Sequence, residues 1–192
     1  MRLIRPIKER IKRLLGIHPP SKENKSQESY WNTRKNLHYY VDVVRLARQH
    51  AGDARSVIDV GPRDTPFVLQ LDWIPSRTAL DIDFAPTIPD TTNIQADFLQ
   101  YQPVEKFDLV LCLQVLEHLD DPRTFAQKLF ATGKTVILSV PYMWPLGFCE
   151  YHLQDPIDEA KILSWTGRPF VDKSIVTDDG LRRIIGVFAG NA

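Results

Sequence analysis

The chain has little of what marks a secreted scaffold or a membrane span. Its 192 residues include two cysteines, Cys112 and Cys149, with neither metal-like spacing nor the even set of a disulfide framework. Cys112 falls inside an apolar run and reads as a small core residue. No run of about 18 apolar residues occurs, so no segment is predicted to cross a bilayer as a helix. The N-terminus is charged throughout and lacks the uninterrupted apolar centre of a signal peptide. Together these absences predict a reducing, cytoplasmic setting. Net charge is also missing, since 24 Lys/Arg balance 24 Asp/Glu.

That balance hides an asymmetry. Residues 1–25 hold eight Lys/Arg against two Asp/Glu, so a surplus of six sits in the arm and a matching deficit in the remainder. An acidic body argues against a nucleic-acid partner, which needs distributed Lys/Arg to neutralise phosphates. In the arm, Leu3, Ile7, Ile11 and Leu14 recur at helical spacing between Arg2, Arg5, Lys8, Arg10, Lys12 and Arg13, and Gly16 and Pro19-Pro20 stop the pattern. Two readings stay open: a solvated helix packed on protein, or residues 1–15 lying peripherally on anionic membrane, at the inner face. The polar stretch Ser21–Ser29 reads as a linker, which divides the chain into an arm at 1–28 and one domain at 29–192.

Within the domain, Leu37, Tyr40, Val41, Val44 and Leu46 predict a helix ending near Gly52. Apolar, β-branched runs then predict strands at 56–60, 77–82, 93–96, 107–113 and 134–140, with helices near 65–72, 122–132 and 157–165. Continuous apolar strands alternating with helices imply an α/β fold whose parallel sheet is covered on both faces. Ala85 to Thr92 holds two prolines and no helical period, so the crossover after the second strand is predicted to shrink to a loop. At the end, Thr177-Asp-Asp-Gly180 between two strand-like runs predicts a hairpin.

The chemistry-bearing residues fall just past those strands. Asp59 and Gly61 close the first one, and glycine there lets backbone approach a ligand in an unusual dihedral. Asp81 follows Asp59 by 22 residues, the spacing at which an acid accepts both ribose hydroxyl hydrogens; Asp83 competes for that role. Such a turn and acid serve a nicotinamide cofactor as well, although a pyrophosphate needs closer backbone approach than Arg63 and Thr65 permit.

Asp59-Val-Gly61, Asp81, Gln95-Ala-Asp97-Phe98 and Phe107 to Pro122 together resemble the S-adenosylmethionine-dependent methyltransferases of the Rossmann-like class, of the small-molecule or glycan-modifying, type 11-like kind. The family shows three alternate glycines where this chain has Gly61, Arg63 and Thr65. The resemblance spans about Tyr30 to Ala192. It implies a methyltransferase sandwich with a mostly parallel seven-stranded sheet and a C-terminal antiparallel hairpin, and S-adenosyl-L-methionine as cofactor. By the same resemblance Asp59 orients the first loop, and Asp97 and the Phe98 amide hold adenine. Gln114 and Val115 line the methionine portion, while Glu117 and His118 face the acceptor.

Asp108 is expected to stabilise a neighbouring loop. Tyr142 and Trp144 form an aromatic rim for a sugar or ring substrate. His118 is the first candidate for a general base and His152 the second. Glu117, His118, His152 and Asp155 could also assemble a metal site, but nothing in their spacing demands one and none is expected. The resulting expectation is an O-methyltransferase for a sugar or other small molecule in surface-glycan biosynthesis. The alternative is a non-catalytic cofactor-binding partner in a glycan-assembly complex.

Overall fold

The computed structural model describes residues 31–32, 34–63, 65–83 and 87–191, so the basic arm at 1–28 lies outside the described residues. Helix α1 (His38–His50) buries Tyr39, Val43, Leu46 and Ala47, which share one face at helical spacing. The sheet follows as β1 (Ser56–Val60), β2 (Ser76–Asp81), β3 (Thr92–Gln95), β4 (Phe107–Leu113), β5 (Gly133–Pro141), β6 (Asp172–Asp178) and β7 (Leu181–Ala189). Helices α2 (Pro122–Thr132) and α3 (Glu159–Thr166) complete the fold. Asp121 caps α2 by accepting from the Thr124 amide, with Pro122 at the first helical position, and Asp158 caps α3 through the Lys161 amide.

Spatially the strands run β3-β2-β1-β4-β5-β7-β6, all parallel except β7, which is antiparallel to both β5 and β6. This is the mixed seven-stranded methyltransferase-type sheet that the sequence led us to expect. Alternate residues of the central strands feed two cores. Ile58, Val110, Cys112 and Leu138 pack against Phe125, Leu129 and Trp165 of α2 and α3. Val57, Leu109, Leu111 and Ile137 face Tyr39, Val43 and Leu46 of α1. Burial on both faces is why these strands read as unbroken apolar runs.

Two connections differ from regular crossovers. A helix was expected near 65–72, but the chain makes only a 3-10 turn at Pro66–Gln70. Pro66 permits the start, and Leu71, at φ −93° and ψ 60°, leaves the helical region and ends the turn. The β2–β3 connection, as expected, has no helix among its described residues. The hairpin turn lies at Asp179-Gly180, both at positive φ (52° and 75°), the two-residue pattern whose twist suits adjoining strands.

Chain order reverses between β1 and β4, which sit side by side at the centre of the sheet. In open α/β sheets such a switch point opens a crevice at the carboxyl ends of the strands. Asp59, Gly61, Asp81, Gln114 and Val115 lie at or just past the carboxyl ends of β1, β2 and β4 on that edge.

Candidate active site

The first wall of the crevice is the turn after β1. Gly61 takes φ +78°, and a Cβ there would come 2.8 Å from Cγ2 of Val115. Glycine is therefore required both by its dihedral and by close approach of the loop after β4. Arg63 replaces the second glycine of the family pattern, yet it keeps a left-handed backbone at φ +52°. That conformation costs about 1–2 kcal/mol for a residue with a Cβ. It is offset by the Arg63 amide, which donates to Oδ2 of Asp81 at 2.9 Å. The Asp83 amide donates to the other oxygen at 3.0 Å. Asp81 thus holds both loops while each carboxylate oxygen keeps a further lone pair. Asp83 itself is exposed.

Asp59 lies deeper. It is 2 % exposed, and burial, aided by the charge of Asp81, pushes its carboxyl up to about 8. Burial likewise raises Asp81. The crevice floor therefore holds two close carboxyls of reduced acidity, an environment that favours a cationic ligand.

Beyond β3, Asp97 is exposed and its Oδ1 accepts from the Leu99 amide at 2.9 Å, so it caps its own turn. Phe98 is buried against Phe125, ring centroids 5.0 Å apart, which fixes the turn on the core.

Past β4, Gln114 adopts φ +59°. Its amide nitrogens tie it to β5: the backbone N–H donates to the Ser139 carbonyl at 2.9 Å and Nε2 to the Ser139 hydroxyl at 3.2 Å. Tyr39 of α1 shares that hydroxyl at 2.7 Å. Asp108 sits at the opposite end of β4, where it accepts from the Arg55 and Ser56 amides and from Lys134. It anchors the start of β1, as expected, and stands away from the crevice.

Past Gln114 the chain makes the 3-10 turn Leu116–His118. Glu117 is buried, its Oε2 has no hydrogen-bond partner among the described residues, and burial together with nearby Asp155 pushes it up to about 8. His118 donates from Nδ1 to the Tyr151 carbonyl at 2.9 Å, leaving the lone pair on Nε2. Burial holds its pKa below the ordinary 6.5, so the ring is neutral. His152 packs edge-on against it at 5.0 Å and points Nδ1 at Oδ2 of Asp155, 2.7 Å away. Trp144 stacks on His152 at 5.5 Å, and its indole N–H donates to the Arg182 carbonyl. Tyr142 lies beside it, under the Arg182 guanidinium.

The structure thus brings together Glu117, His118, His152, Trp144 and Tyr142 on one side, and Asp59, Gly61, Asp81 and Val115 on the other. Asp97 and Phe98 form a separate turn beyond β3. Sequence reasoning missed Arg183 and Tyr39. Arg183 is 7 % exposed on β7, with its guanidinium 5.6 Å from the rings of both Tyr39 and Trp144. The one available signal was a cation set among the apolar residues of a strand.

A crevice at the β1/β4 switch point, a left-handed glycine turn beside it and an acid ending β2 define a nucleoside-cofactor α/β enzyme. The comparisons narrow the class. The sequence matches the family described as Methyltransferase domain over residues 2–167, and the chain belongs to that family, as an S-adenosylmethionine-dependent methyltransferase. No curated protein matches it.

Among solved structures, the N-terminal domain of EvdMO1 with S-adenosylhomocysteine bound superposes with TM-score 0.58 at 16 % identity, over 100 % of this chain and 98 % of that one. The N-methyltransferase NodS from Bradyrhizobium japonicum WM9, in complex with S-adenosylhomocysteine, gives 0.62 at 16 %, over 96 % and 98 %. The Burkholderia thailandensis 1,6-didemethyltoxoflavin-N1-methyltransferase, with bound 1,6-didemethyltoxoflavin and S-adenosylhomocysteine, gives 0.67 at 15 %, over 87 % and 84 %. These likenesses establish the fold.

Proposed function

We propose that this enzyme methylates a hydroxyl group of a sugar or other small molecule, within surface-glycan biosynthesis. The observation that carries the reading is the neutral imidazole of His118, its Nε2 lone pair free beside an aromatic rim. An amine acceptor is nucleophilic once uncharged, whereas a hydroxyl needs a base as its proton leaves. His118 is fixed in the basic tautomer by the Tyr151 carbonyl, and its lowered pKa keeps it competent at neutral pH. His152, in its contact with Asp155, is the second base candidate. Trp144 and Tyr142 offer ring faces on which a sugar stacks. In support, the EvdMO1 domain was also crystallised in the presence of S-adenosylhomocysteine and D-fucose.

The cofactor supplies an electrophilic methyl group on a sulfonium. The chain's own part is alignment and desolvation. Asp59, Gly61, Asp81, Asp97, Phe98, Gln114 and Val115 bind and orient the cofactor, and Glu117 shapes the acceptor side. The test is incubation of the full chain with methyl-labelled S-adenosylmethionine and a panel of sugars, nucleotide sugars, phenols and amines. Label on a hydroxyl oxygen is expected; label on amines alone would overturn the reading.

We further propose that the arm at 1–15 attaches peripherally to anionic membrane at its cytoplasmic face. The basic surplus and apolar stripe of that segment support this. Sedimentation with anionic vesicles, lost in high salt and on deletion of 1–20, is the expected result. A full-length protein that ignores such vesicles at low salt would refute it.

A further inference from the structure

Glu117 and His118 reach the crevice from the end of β4, and His152 comes from a loop 34 residues beyond His118. One donor atom of each lies within 4.8 Å of the others. Three features suit this triangle to a cation. Nδ1 of each ring already faces an oxygen, the Tyr151 carbonyl or Oδ2 of Asp155, so Nε2 holds the lone pair in both. Glu117 is 1 % exposed, and its Oε2 has no hydrogen-bond partner among the described residues. A buried carboxylate in that state is costly unless a positive charge joins it. Finally, Nε2 of His118 lies 3.9 Å from Oε1 of Glu117, too far for a hydrogen bond but close to the separation of two ligands on one ion.

We propose that Glu117, His118 and His152 bind a single divalent transition-metal ion of the zinc class, with Asp155 orienting His152 from behind. Two imidazoles and one carboxylate favour such an ion over magnesium or calcium, which take oxygen ligands. Ligands about 2.0–2.2 Å from an ion stand about 3–3.5 Å apart, so the triangle closes by about 1 Å on binding. The Asp155–His152 contact is the outer carboxylate–imidazole pairing that fixes tautomer and ring angle in metal sites.

Three protein ligands leave at least one position open on such an ion. A hydroxyl bound there is acidified by the ion, its proton passing to bulk water and its electron pair remaining on the oxygen. His118 is then a ligand rather than the base. Only this last step rests on the hydroxyl-acceptor reading; ion binding does not.

The test uses the full chain, stripped with chelator and titrated with Co²⁺, then Zn²⁺, by calorimetry and visible absorption. One equivalent of Co²⁺ should bind at micromolar affinity or tighter, with ligand-field bands that Zn²⁺ abolishes and excess Mg²⁺ does not. Glu117→Gln and His152→Ala should each weaken binding at least 10-fold, and Asp155→Asn about 10–100-fold. Glu117→Gln keeps the shape of the side chain, so it carries the test if the histidine variant misfolds. Affinity no better than millimolar, or equal affinity in Glu117→Gln and the wild type, overturns the proposal. Methylation that survives stripping and depends on His118 would leave the base reading standing and refute the ion's part in the reaction, while the Co²⁺ titration alone decides whether the ion binds. Tight Co²⁺ binding that Glu117→Gln weakens, with no hydroxyl acceptor methylated, would instead establish the metal site and refute the hydroxyl reading.

Discussion

Replacing Asp59 by Asn tests how the cofactor crevice is held ready. In the folded chain the carboxyl ionises only near pH 8, through burial first and the charge of Asp81 second, against an ordinary 3.8. The unfolded chain ionises it normally. A carboxyl raised in this way lends its full stability below about pH 4 and withdraws it as pH climbs to about 8. The slope is about 1.4 kcal/mol for each pH unit, on the order of 5 kcal/mol across the interval. Asn has nearly the same shape and cannot ionise.

The stability difference between Asp59→Asn and wild type should therefore shift in the variant's favour from pH 4 to pH 8, and flatten on either side. Any fixed cost of the amide adds a constant that does not depend on pH. Urea unfolding followed by tryptophan fluorescence at unit steps of pH reads this directly, and subtraction removes the similar contribution of Glu117. A difference that stays constant would refute the reasoning, because it would mean that Asp59 ionises as freely in the fold as in water. Binding offers a second readout. A sulfonium near the carboxyl favours its ionised form, so wild type should gain affinity for S-adenosylmethionine over S-adenosylhomocysteine as pH rises, and the variant should not.

If His118 acts as the base rather than as a ligand, His118→Ala should lower turnover by about 10²–10⁴-fold, with cofactor affinity measured by calorimetry nearly unchanged. On that reading burial, which lowers the His118 pKa, places the acid limb of the wild-type kcat/KM profile below pH 6.5, with activity lost as pH drops through it. Gly61→Ala forces a Cβ into the left-handed region and against Val115. It should destabilise the fold by about 1–3 kcal/mol and weaken S-adenosylhomocysteine, and adding Val115→Ala should restore part of both.

Much of this was legible because the sheet is buried on both faces. Val57, Ile58 and Val60, and Leu109 to Cys112, have no polar alternation to obscure them, and the acids and glycine that follow mark the strand ends. The Asp179-Gly180 turn announced the hairpin through its local chemistry. The helix expected near 65–72 gave way to a 3-10 turn that ends where Leu71 leaves the helical region. Arg63 shows the opposite case, where a residue type that argued against the family turn takes the left-handed conformation and is held there by Asp81. Contacts between distant segments carried no sequence signal. The Tyr39–Ser139–Gln114 chain and the burial of Arg183 each depend on how strands and loops stack.

The loop that carries Trp144 and His152 is fastened chiefly at main-chain atoms. The Leu153 amide meets the Glu117 carbonyl, His118 meets the Tyr151 carbonyl, Gln154 meets the Leu119 carbonyl, and the Met143 amide meets the Ile157 carbonyl. Peptide groups are the same whatever side chain they bear. Between these fastenings Met143, Leu146 and Phe148 are exposed, and Gly147 has open space around it. The stretch from 145 to 150 can therefore drift under selection while Trp144 stays stacked on His152. A directed-evolution library confined to those six positions should yield folded proteins at high frequency and altered acceptor choice among them.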